Sequence, residues 1–130
     1  MKIAIFKIPF IIISLLSLDS FCQSTNLSTQ EITDMKYMLE EEKVARDVYE
    51  FLDTKWHMRV FNNIKQSEQR HMDMMENLLN TNKVVYQLHD EEGKFYNEDL
   101  QTMYNNLIEK GSKSKYDALE VGKMIEVADI

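Results

Sequence analysis

Turn-forming residues are scarce in this sequence, which has one proline and three glycines among its 130 residues. Because proline and glycine mark turns, their scarcity argues against a turn-rich β fold and favours long helices. The single cysteine cannot form an internal disulfide bond, which excludes a disulfide framework. The length predicts one domain, and the nine methionines suit adaptable packing between helices.

Basic residues are in the minority, with 15 Lys and Arg against 22 Asp and Glu and a formal net charge of -7. A partner with a nucleic-acid backbone is therefore not expected, because such binding needs positive charge. The surplus of carboxylates is compatible with cation binding, although most of these side chains should simply be solvated.

The first 22 residues have the three parts of a secretory signal peptide. Lys2 and Lys7 precede the apolar run Ile8–Leu18, and Ser20–Cys22 has a small-x-small ending. The apolar run is shorter than the roughly 20 residues that a membrane span needs. We therefore expect residues 1–22 to be a signal peptide.

With this interpretation we expect the protein to be exported, either to the periplasm or out of the cell. After cleavage of the signal peptide we expect no transmembrane span. A lipoprotein acylated at Cys22 is the less favoured alternative, because Asp19 and Phe21 do not suit the surroundings of such a cysteine. After cleavage, residues 23–28 form a linker and residues 29–130 form the folded domain.

The first helix is predicted from Thr29 to about Lys55. Ser28 and Glu31 form a capping box at its start. A carboxylate, Glu42, occupies one position of its apolar stripe, whereas Glu40 and Glu41 lie off the stripe and are expected in solvent. The full stripe comprises Met35, Met38, Glu42, Ala45, Tyr49, Leu52 and Trp56.

The second helix is predicted from about Val60 to Asn80, antiparallel to the first because the connection between them is short. Its apolar stripe has two polar members, Glu68 and His71, among Phe61, Ile64, Met75 and Leu78. Burying an unpaired carboxylate is costly, and an ion pair or a metal ion relieves that cost. A Glu-x-x-His pair on an inward helix face is the ligand motif of di-iron carboxylate bundles.

The rest of the chain is predicted to form a long crossover, Thr81–Lys113, followed by one more helix. The crossover contains a short helix at Glu98–Lys110. Ser114–Asp117 has a capping signature, and the helix that follows carries Glu126 at the edge of its apolar face.

Three helices thus place ionisable groups on or beside their inward faces: Glu42, Glu68 with His71, and Glu126. Carboxylates combined with an imidazole suit iron, manganese or zinc. The alternative is a buried network of salt bridges with Arg46 or Arg70, and the metal site is favoured because three helices contribute.

The same residues carry a resemblance to known proteins. Glu42–Tyr49 resembles the first-helix motif Glu-x-x-Ala-Arg-x-x-Tyr of rubrerythrin and ferritin-like proteins, and Ser67–His71 resembles their second-helix Glu-x-x-His. From Ile32 to Ile130 the chain resembles the ferritin-like family catalogued as domain of unknown function 2202, in the blocks MLEEEKVARDVYEFL, VFNNIKQSEQRHMDMMENLL, FYNEDLQTMYNNLIEKGSKS and DALEVGKMIEVADI.

This resemblance implies an all-α, ferritin-like helical bundle with a metal centre between the helices, with iron as the first candidate and manganese or zinc as alternatives. Glu42 would be the terminal ligand from the first helix, Glu68 the bridging carboxylate and His71 the imidazole on the same metal. Glu126 would be the carboxylate of the third long helix, with Asp129 a weaker candidate.

The sequence departs from the family at its end, because the family continues with a fourth helix. We therefore expect a bundle truncated to three long helices plus the short crossover helix. Its open apolar groove would be filled by a second copy in a homodimer or by a partner helix.

Two classes of function follow. One is an exported metal-dependent redox protein that reacts with peroxide or oxygen. The other is a non-enzymatic module that binds a metal or a protein partner, with a degenerate, truncated family member as a third interpretation.

Overall fold

The computed structural model of the protein describes residues 27–128. These residues form four α-helices and, within this range, no strand. The helices are α1 (Thr29–Trp56), α2 (Arg59–Thr81), α3 (Glu98–Gly111) and α4 (Lys115–Ala128). The all-helical prediction is confirmed. The predicted signal peptide, Cys22 and Asp129 lie outside the described residues, and no helix within them is long and apolar enough to cross a bilayer.

Local signals explain where α1 begins and ends. The backbone N–H of Glu31 donates to the Ser28 hydroxyl (3.2 Å), and the N–H of Ser28 donates to the Glu31 carboxylate (2.7 Å), which completes the predicted capping box. His57 ends the helix in the left-handed conformation at φ 51°, with its N–H donating to the carbonyl of Asp53. The chain reverses direction at His57 and α2 begins two residues later, so that α1 and α2 pack as a hairpin.

Helix α1 is the centre of the fold and contacts the other three helices. Its fully buried residues Val48, Tyr49 and Leu52 belong to the main core, together with residues of α2, α3 and α4 such as Phe61, Leu100 and Val121. A smaller core joins α1 and α2 farther along the hairpin and consists of Leu39, Met72 and Leu79.

Glu40 corrects the expectation of a solvent-exposed carboxylate, because only 8% of its surface is exposed. Its carboxylate accepts hydrogen bonds from the backbone N–H groups of Tyr96 and Asn97, just before α3. These N–H groups lie outside the hydrogen bonds of any helix and need an acceptor, which the buried Glu40 carboxylate supplies.

Two further charged residues of α1, Lys43 and Asp47, are each only 1% exposed and form an ion pair with 2.6 Å between Nζ and Oδ2. Both also bind the loop that leads to α3. Lys43 Nζ donates to the carbonyl of Glu91 (2.9 Å), and Asp47 accepts from the N–H of Gly93 (2.9 Å). A segment with no sequence periodicity is therefore held by buried charges of α1.

The buried line of α2 also differs from the predicted stripe in its second half. Phe61, Met72 and Leu79 are at most 2% exposed, whereas Leu78 is 46% exposed. At 3.6 residues per turn, a residue returns to the same face after 18 residues, which places Leu79 rather than Leu78 in line with Phe61. For the same reason Glu68 is buried and His71 lies at the edge of the inward face.

Candidate metal centre

Three of the four predicted ligands come together between α1 and α2. One ligand atom from each of Glu42, Glu68 and His71 lies within 4.8 Å of the others. Glu42 comes from α1, and Glu68 and His71 are one turn apart on α2. Because the two helices pack as a hairpin, their facing positions meet without any contribution from the loops.

The three side chains of this group differ in exposure, from a buried carboxylate to a solvent-accessible imidazole. His71 Nδ1 lies 3.1 Å from Glu68 Oε2 and 3.5 Å from Glu42 Oε2. The side chain of Glu68 is 6% exposed and that of Glu42 is 17% exposed, whereas that of His71 is 46% exposed. A small molecule can therefore approach the group from the His71 side.

The donor set fits a divalent metal ion. Within the described part of the chain, the hydrogen bond and ion pair of the buried Glu68 carboxylate both go to His71. Two carboxylates beside one imidazole nitrogen need a positive charge to offset their repulsion. A bound cation supplies that charge, and carboxylate oxygens with a neutral imidazole are ligands that iron, manganese and zinc accept.

Glu126, the fourth predicted ligand, is not a member of this group. It is exposed, and its Oε1 accepts a hydrogen bond from the hydroxyl of Tyr49 at 2.9 Å. The same hydroxyl lies 3.2 Å from the carbonyl of Gly122. The buried Tyr49 side chain of α1 thus reaches α4. Its hydroxyl contacts both the Gly122 carbonyl and the Glu126 carboxylate there.

The alternative to a metal site is a buried network of salt bridges with Arg46 or Arg70, and among the described residues Glu68 does not take part in such a network. The guanidinium of Arg46 pairs with Asp47 at 2.6 Å and donates to Gln69 Oε1 at 2.9 Å. Arg70 is exposed. Within residues 27–128 no lysine or arginine forms an ion pair with Glu68.

Sequence reasoning missed the buried charges Glu40, Lys43 and Asp47. A signal for them was present, since their spacing of three and four residues places them along one line of α1. They support the loop before α3 and lie outside the metal-ligand group.

Comparisons with known proteins extend over most of the chain. Residues 31–130 match the family model described as "Uncharacterized protein domain (DUF2202)". The uncharacterized protein MJ0754 of Methanocaldococcus jannaschii is 44% identical over 105 residues, which are 80% of this chain and 57% of that protein. The crystal structure of hypothetical protein MJ0754 superposes with a TM-score of 0.77 at 42% identity, covering 82% of this chain and 62% of that one. The chain thus spans less than two thirds of this relative's length.

Proposed function

The chain belongs to the family of the uncharacterized protein domain DUF2202, and we propose that this member binds a divalent metal ion through Glu42, Glu68 and His71. Iron is the first candidate, with manganese and zinc as alternatives. The observation that carries the proposal is the convergence of two carboxylates and an imidazole within 4.8 Å around a buried Glu68.

A ferritin-like arrangement of the helices is part of this proposal. It is supported by the hairpin of α1 and α2, in which Glu42 on the first helix faces the Glu-x-x-His pair on the second. Facing helices of this kind supply the ligands in di-iron carboxylate bundles. Glu126 enters the proposal only as a neighbouring carboxylate.

A redox role is the enzymatic form of the proposal. A bound Fe(II) ion would supply one electron to peroxide or oxygen and would itself be oxidised to Fe(III). Glu68 would hold it from the buried side, Glu42 would balance its charge and His71 would remain at the solvent edge. Such a site needs a coordination position open to the substrate, and the exposure of His71 is compatible with one. Export to the periplasm or the medium remains the location that we propose from residues 1–22.

The test begins with elemental analysis of the purified protein and an anaerobic titration with Fe(II). We expect one ion per chain, and a loss of affinity of at least about tenfold in both Glu68→Gln and His71→Ala. Glu109→Gln and His57→Asn are matched controls, because both side chains are exposed and lie outside the group. Binding that is equal in the wild type and both ligand variants would refute the metal site.

Fe(II) oxidation in air separates the enzymatic form from simple binding. Oxidation that is faster than in buffer, and that Glu68→Gln abolishes, supports the redox role. If the protein binds Fe(II) but oxidation is no faster than in buffer, the redox role is wrong.

A structural metal is the second candidate, favoured by the position of the ligands on two different helices. A metal ion bound there links α1 to α2 and stabilises only the folded chain. At a free metal concentration of 100 times Kd, this linkage is worth about 2.7 kcal/mol, or about 10 °C or more in Tm. An unchanged Tm on saturation with the metal would rule this candidate out.

A further inference from the structure

A cavity of about 550 Å³ lies beside the first turns of α1 and shares no lining residue with the candidate metal centre. One wall is α1, another is the non-helical segment 85–87, and the third is the end of the loop before α3. Each wall contributes one tyrosine, namely Tyr37, Tyr86 and Tyr96.

Two of these rings are fixed by contacts outside the cavity. Tyr96 stacks on His89, with 4.0 Å between ring centroids. The hydroxyl of Tyr86 donates to the carboxylate of Glu76 at 3.1 Å. The ring contacts within residues 27–128 include none between any two of the three tyrosines. The three rings therefore line the cavity separately, one on each wall.

Three carboxylates lie near the Tyr37 wall of the cavity, and the described lining itself carries one carboxylate, Glu40, and one ammonium, Lys36. Burial raises the pKa of the Tyr37 hydroxyl, and the carboxylates of Glu41, Asp99 and Glu40 raise that pKa further. Glu40 also lines the cavity and is buried. Among the lining residues that the structure describes, Lys36 is the one cation, and it is exposed.

The backbone of the second wall adds hydrogen-bond acceptors. Among the described residues, the carbonyls of residues 85–87 accept no hydrogen bond from the backbone or from side chains. Val85 is 82% exposed, so this stretch is open to a ligand. Aromatic faces, carboxylates and free carbonyls all favour a positively charged group.

We propose that this cavity binds an organic ammonium cation, held between the rings of Tyr37, Tyr86 and Tyr96 and balanced by the carboxylate of Glu40. Aromatic cages recognise alkylated ammonium groups in this way. An anion would be repelled by the buried carboxylate, and a neutral ligand of the same shape would gain only the apolar contact.

The experiment is a calorimetric titration of the full chain with choline and, separately, with 3,3-dimethylbutan-1-ol, the neutral isostere of choline. We expect saturable binding of choline and binding of the isostere that is at least about fivefold weaker. Equal affinity for the two compounds, or no saturable binding of choline, would overturn the proposal.

Variants of one lining residue distinguish ring contact from hydrogen bonding. Tyr37→Phe should retain choline binding, whereas Tyr37→Leu should weaken it at least about threefold, because only Phe keeps the aromatic face. Circular dichroism and Tm establish that both variants fold. Full binding by a folded Tyr37→Leu variant would contradict the cage.

Charge variants give an independent measurement of the electrostatics. Lys36→Gln should tighten choline binding, and Lys113→Gln, on a lysine that does not line the cavity, should leave it unchanged. If Lys36→Gln weakens choline binding, the electrostatic argument is wrong and the proposal fails. Glu68→Gln should bind choline like the wild type, so that failure of the metal site and failure of this site remain distinguishable.

Discussion

The ion pair of Lys43 and Asp47 should be the most sensitive polar contact in the fold. Both side chains are 1% exposed, and Asp47 also accepts from Arg46 and from the N–H of Gly93. The substitution Asp47→Ala leaves a buried ammonium without its carboxylate and removes the acceptor of the Gly93 N–H. Removing one partner of a buried pair costs about 3–5 kcal/mol. A domain of this size is stable by only about 5–15 kcal/mol.

The assay is thermal and urea unfolding followed by circular dichroism. A loss of 3 kcal/mol corresponds to a fall in Tm of about 12 °C or more for a domain of roughly 100 residues. The matched control is Glu109→Ala. It removes the exposed ion pair between Glu109 in α3 and Lys113 just after that helix, with 3.8 Å between Nζ and Oε1. That change should alter the free energy of unfolding by no more than about 1 kcal/mol.

The double variant Lys43→Met with Asp47→Leu tests the physical reason for the cost. Replacing both charges with apolar groups removes the unpaired ammonium, so the double variant should be more stable than Asp47→Ala alone. Two results would refute the reasoning. One is a loss below about 1 kcal/mol in Asp47→Ala, as for a surface pair, and the other is a double variant that is less stable than the single one.

Three substitutions test the loop before α3 and the packing of α4. Gly93→Ala should destabilise the fold by about 1–3 kcal/mol, because Gly93 has φ +73° and a Cβ there would lie 2.8 Å from the Tyr104 ring. Gly122→Ala, where a Cβ meets its nearest neighbour at 3.6 Å, should instead stabilise α4 by about 0.5–1 kcal/mol, which urea unfolding measures. Burial and nearby carboxylates, that of Asp47 first, raise the pKa of Glu92. Its folded-state pKa therefore exceeds the unfolded one, and stability is lost as the pH rises through the folded value. Glu92→Gln should raise Tm at pH 7 and have no such effect at pH 3.

Local sequence signals were sufficient for the helices themselves. Ser28 and Asn97 are caps whose side chains accept backbone hydrogen bonds in the structure. The predicted ends of α1, α2 and α3 agree with the observed ones to within one residue. These signals depend on neighbours three or four residues away, so they can be recognised without knowledge of the tertiary fold.

Burial was harder to predict where the partner is distant in the sequence. In the sequence, nothing distinguishes Glu40 from a solvated glutamate. It is a buried acceptor because the fold brings the backbone N–H groups of Tyr96 and Asn97 next to its carboxylate. Glu126 was correctly placed near the edge of an apolar face, yet its contact with Tyr49 depends on how α4 lies against α1. Helical periodicity gives the face of a residue but not the distance to a group on another helix.

The two sets of buried acidic groups on the α1–α2 hairpin differ in what offsets their charge. Asp47 pairs with Lys43 and Arg46 and accepts from a backbone N–H, and Glu40 accepts from two backbone N–H groups, so the fold itself supplies hydrogen-bond donors to both carboxylates. In the described part of the chain, Glu68 has an imidazole as its ion-pair partner. An imidazole offsets a carboxylate only when it carries a proton, whereas a neutral imidazole and a carboxylate can bind the same cation. The carboxylate that receives neither a lysine, an arginine nor a backbone N–H is therefore the one for which binding a metal has the largest electrostatic benefit.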